Sequence, residues 1–122
     1  DEAERWAALR DAATALAARA EQLNDTPLRV AATRYRAEAL VRGGDADGAL
    51  AALALLPDLH DRLADPAGRR DTQRQRAKLL AGRGRYADAA PLFAEALELQ
   101  QKHQPGRRVA VGDILAEWGA AA

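Results

Sequence analysis

The chain has 122 residues, enough for one domain with a core of its own. Hydrophobic residues make up 48% but aromatics only 4%, and much of the apolar fraction is alanine, which suits helices packed at close range. Eighteen basic residues balance eighteen acidic ones, which speaks against a nucleic-acid binder, and the absence of cysteine excludes disulfides, a thiolate nucleophile and a thiol-based zinc site.

Ala, Leu and Arg dominate, β-branched residues are few and nothing alternates with period two, so the elements are helices. The first is predicted over residues 2–24. Its Trp6, Leu9, Ala13, Leu16, Ala20 and Leu23 recur at spacings of three and four and form one apolar stripe. Asn24-Asp25-Thr26-Pro27 opens a second helix, 27–42, with Thr26 as its expected N-cap. Gly43-Gly44 closes it and leads to a third, 45–57, after which Leu59 and Leu63 are spaced for a short extra turn. Asp65-Pro66 opens a fourth, 66–82, and Gly82-x-Gly84 turns into a fifth, 85–103. Pro105-Gly106 separates that from a sixth, 108–121. The short glycine linkers predict antiparallel neighbours.

Shifted by forty residues, the chain matches itself. Arg34-Tyr35-Arg36-Ala37-x-x-Leu40-x-x-x-Gly44 meets Arg74-Gln75-Arg76-Ala77-x-x-Leu80-x-x-x-Gly84, and Ala46, Ala49 and Leu53 meet Tyr86, Ala89 and Phe93. A period of this length, one hairpin per unit, is the mark of a helical repeat array.

The segment Gly84-Arg85-Tyr86-Ala87-Asp88-Ala89-Ala90-Pro91-Leu92-Phe93-Ala94-Glu95-Ala96-Leu97-Glu98-Leu99 resembles the second helix of a tetratricopeptide repeat. Leu115-x-x-Trp118-Gly119-x-x-Ala122 is similar to that family's first-helix pattern. The spacing departs from the family's, being forty residues and then forty-two against thirty-four. Such longer periods resemble the arrays of large bacterial regulatory ATPases and transcriptional activators. Arg36 and Arg76 stand where the family prefers Leu. The resemblance implies an all-α fold, a right-handed α-solenoid of about six helices in antiparallel hairpins. Residues 1–122 would form one such domain, with half a repeat at 2–24, units at 27–64 and 66–104, and another half at 108–122.

The resemblance also implies a groove lined by the first helix of each hairpin. In this sequence that face carries Arg34, Glu38 and Arg42 in one unit and Asp71, Arg74 and Lys78 in the next. Stacking would bring Arg34 and Arg74 together as a two-guanidinium site for an acidic peptide or protein. The same residues also read as a mixed-charge solvated face. The family's carboxylate-clamp residues are absent. If Arg36 and Arg76 point between helices, their stems pack and their heads must reach water or a carboxylate.

Catalytic chemistry has no foothold in the sequence. His60 lies beside Asp58 and Asp61 without metal-ligand spacing and reads as a solvated surface residue, so no metal or cofactor is expected. There is no Ser, and no His is placed to activate a Thr. No apolar run approaches the roughly 20 residues of a membrane helix, and no signal peptide leads the chain. Beginning at Asp1 without Met, it reads as a segment of a longer cytoplasmic, bacterial protein. The expected role is a non-enzymatic interaction scaffold or regulatory segment, with self-association through the end helices as the alternative.

Overall fold

The structure is a computed structural model that describes residues 1–121, the last of them by its backbone alone. Seven helical elements and no strand occur among the described residues: α1 (Glu2–Gln22), α2 (Thr26–Arg42), α3 (Ala46–Leu53), α4 (Leu56–Arg62), α5 (Pro66–Gly82), α6 (Tyr86–His103) and α7 (Arg108–Ala121). All six expected helices are present, and the short turn expected after Pro57 is the additional element α4. The expected third helix, 45–57, instead ends at Leu53. The reason is Pro57, whose ring collides with the carbonyl four residues back and which has no N–H to continue the ladder.

The helix ends follow local chemistry. Asp25, not Thr26, caps α2, accepting from the Leu28 amide at 3.1 Å. Asp45 and Asp65 cap α3 and α5 in the same way, through Gly48 at 2.8 Å and Gly68 at 2.9 Å. At the other ends, α1, α2 and α5 are closed by an amide that reaches back five residues: Asp25 to Ala20, Asp45 to Leu40 and Arg85 to Leu80. Such a closure needs a left-handed residue just before the donor. Asn24 (φ 54°), Gly44 (φ 85°) and Gly84 (φ 76°) supply it.

The chain divides into two compact units, Asp1–Leu63 and Ala64–Ala122. In the first, α1 and α3 pack against α2, and α4 packs against α2 and α3. Its buried residues include Ala13, Ala20, Ala37, Leu40, Ala49, Leu53 and Leu56. The apolar stripe of α1 is only partly covered: Ala13 and Ala20 are buried, whereas Leu16 and Leu23 are exposed. In the second unit α5 and α6 form a hairpin and α7 packs against both. Ala77, Leu80, Ala89, Phe93, Ala96 and Ile114 are buried there. The Phe93 ring stacks on Trp118, with centroids 6.0 Å apart and planes 12° from parallel.

Positions forty residues apart agree closely. Ala37 and Ala77, Leu40 and Leu80, Ala49 and Ala89, and Leu53 and Phe93 are all buried, as are the polar pair His60 and Gln100. The four left-handed residues among the described ones form two such pairs, Asn24 with Ala64 and Gly44 with Gly84.

Candidate functional site

On α2 the spacing of four places Arg34, Glu38 and Arg42 along one exposed strip. Arg42 donates through Nε to Glu38 at 3.3 Å, and its guanidinium lies 5.1 Å from the centre of the Trp6 ring. That cation–π contact ties the end of α2 to the start of α1. Arg34, also exposed, reaches a residue of α4. Its Nη2 sits 3.2 Å from Nε2 of His60. Arginine has only donors, so Nε2 is the acceptor and carries no proton. His60 is 2% exposed, which corrects its reading as a solvated surface residue: α4 turns it inward.

On α5 the strip is Asp71, Arg74 and Lys78. Asp71 is exposed and pairs with its neighbour Arg70 at 3.0 Å. Arg74, expected to face an acidic ligand, has its Nε 2.8 and 2.9 Å from the two carboxylate oxygens of Glu117 on α7, and its Nη2 donates to the same group. Both side chains are about three-quarters covered. The Arg74 hydrogen bond holds the Glu117 carboxyl below the usual range against the opposing effect of burial, with the charges of Arg74 and Lys78 adding to the lowering. Lys78 lies 4.0 Å from the same carboxylate and is itself exposed. The acid that Arg74 was expected to capture is thus supplied by the chain itself. Beside it, Lys78, Tyr86, Phe93 and Glu117 line an open cleft of about 330 Å³, near the lower limit for a small-ligand site.

A second polar cluster in this unit was not foreseen. Arg69, Gln73 and Arg76 lie on one face of α5 and meet Glu95 of α6. Glu95 accepts from Arg69 Nε at 2.7 Å and from Gln73 Nε2 at 2.5 Å, while Arg76 Nη1 donates to Gln73 Oε1 at 2.7 Å. Burial holds the Arg76 guanidinium below the usual arginine range; Glu95 pulls it back up and Arg69 adds to the lowering. Arg36 and Arg76 are half-buried, and the Nε of each is buried with no hydrogen-bond partner among the described residues. The i, i+4, i+7 spacing of Arg69, Gln73 and Arg76 was the available signal in the sequence. Glu117 had none, because its pairing depends on how α7 docks.

No group of three or more His, Asp or Glu among the described residues is arranged to hold a metal ion, and no described helix is long and apolar enough to cross a membrane. Compared with known protein families, curated protein sequences and solved structures, the chain matches none.

Proposed function

We propose that this chain is part of a long-period, tetratricopeptide-like array of helical hairpins and serves as a non-catalytic scaffold for a protein or peptide partner within a larger regulatory protein. The supporting observation is the agreement of burial and backbone conformation between residues forty apart, with small alanines buried where helices approach closely. An array of this kind uses its exposed strips for recognition, since each hairpin spends its apolar side on its neighbours. Arg34, Glu38 and Arg42 on α2 and Asp71 and Lys78 on α5 form such strips, with an acidic segment as the favoured ligand. The test is affinity capture from cells expressing the full-length protein, comparing the native chain with an Arg34→Ala/Arg42→Ala variant and with Arg10→Ala on α1. A partner lost about tenfold or more in the first variant and retained in the second supports the reading. A partner indifferent to both removes the strips as its binding surface.

Self-association is the second reading, favoured by apolar side chains left uncovered on α1 (Leu16), just after it (Leu23) and on α7 (Val109 and Leu115). Apolar side chains in water gain free energy when a second copy covers them. A monodisperse monomer in light scattering at high concentration removes it.

A further inference from the structure

The cluster around Glu95 has a counterpart in the first unit that lacks the acid. Forty residues before Arg69, Gln73 and Arg76 stand Arg29, Thr33 and Arg36, again on one face of a helix, with the two arginines about 10 Å apart along its axis. Each pair shares its degree of burial: Arg29 and Arg69 are half-buried, Thr33 and Gln73 are buried, Arg36 and Arg76 are half-buried. Both Arg36 and Arg76 have a buried Nε. The position of Glu95, however, is taken by Leu55, which is 47% exposed in the link between α3 and α4. Among the described residues Arg29 is paired with Glu21 alone, at 3.9 Å, and Glu21 is largely in solvent. Two partly desolvated guanidinium groups therefore share one face without the carboxylate that neutralises their counterparts.

We infer that the Arg29–Thr33–Arg36 face of α2 is a docking site for a glutamate or aspartate of a protein partner, flanked in that partner by an apolar residue that covers Leu55. The occupant follows from charge complementarity and from the internal template. In the second unit a carboxylate placed among these same positions takes hydrogen bonds from the first arginine and the middle residue, and attracts the last. Guanidinium–carboxylate pairing in a partly dry setting is strong and directional. This site rests on the scaffold reading and specifies a surface for it distinct from the Arg34 strip.

The experiment has two arms. In the first, Leu55→Glu and Leu55→Gln are compared by urea unfolding, in the native background and with Arg29→Met/Arg36→Met, which keeps the apolar stems. The Glu variant is expected to have a higher midpoint than the Gln variant in the native background, and the difference should vanish without the arginines. In the second, a blocked tetrapeptide of alternating leucine and glutamate is titrated while the arginine Nε–H signals are followed by NMR. The signals of Arg29 and Arg36 should move in the native chain and stay still in Leu55→Glu, and those of Arg69 and Arg76 should stay still in both. Equal midpoints for Glu and Gln, or peptide shifts that are absent or shared equally by all four arginines, overturn the proposal. A cellular partner retained despite that failure spares the scaffold reading and removes only this site.

Discussion

Phe93 is completely buried, and its ring is stacked on Trp118 of α7, so α6 and α7 are joined through one aromatic pair. Truncation of a buried Phe removes its transfer free energy and leaves a cavity, together about 3–5 kcal/mol. Phe93→Ala is expected to lower stability by that amount in urea unfolding, and a loss under about 1 kcal/mol would contradict its place in the core. Arg74 and Glu117 give a second handle on the same helix. Because Glu117 titrates below its unfolded value of about 4.3, the unfolded chain takes up the proton first. The pair's contribution is therefore complete above about pH 4.3 and is lost as pH falls through the lower folded value. In a Trp6→Phe background, Trp118 emission should report loosening of α7 only below that pH, and Glu117→Gln should weaken the acid dependence. A fluorescence change centred near neutral pH would contradict it. Phe93 was legible in the sequence because size and repeat register both pointed to it. Glu117 and the buried state of His60 were not, since each depends on a contact between elements that no local pattern encodes.

Helix boundaries in this chain are set by a few residues with narrow conformational options. The glycine turns, the Asp-Pro start of α5 and the Pro-Gly break before α7 lie within a residue or so of where the sequence places them. The end of α3 does not, although Pro57 announces it once the ring is measured against the Leu53 carbonyl. Thr26 yields its expected capping role to Asp25, one residue earlier, which reaches the same first turn. The left-handed residues make the sharpest prediction at this scale. Ala64 has φ 50° with a side chain that disfavours it, whereas Gly84 at φ 76° carries none. Left-handed backbone costs an L-residue about 1–2 kcal/mol. Gly84→Ala should therefore destabilise by about 1 kcal/mol or more, and Ala64→Gly should stabilise by about 0.5–1 kcal/mol, less than the full strain because glycine is freer when unfolded. Thermal denaturation of the two variants measures both, and a gain from Gly84→Ala would contradict the turn geometry.

Across the whole molecule, the internal correspondence at forty residues links the fold to the proposed role. It was legible from Ala37 and Ala77, Gly44 and Gly84, and Leu53 and Phe93, whose sizes and spacings recur. Its functional consequence was less legible: Arg34 and Arg74 share a position in the sequence, yet one meets His60 and the other Glu117. Removing one whole period should join equivalent helices without disturbing their contacts. Deleting residues 44–83 places α2 directly before α6. Ala37 and Leu40 would then take the places of Ala77 and Leu80, Arg34 would meet Glu117, and Arg29 and Arg36 would meet Glu95. The deciding measurement is urea unfolding of this shortened chain, followed by circular dichroism, beside a control lacking 44–81. One cooperative transition is expected for the in-register deletion, with helix content per residue near that of the parent, and a broad, weak transition for the control. Loss of cooperativity in both chains alike would contradict the forty-residue hairpin as the unit of this protein.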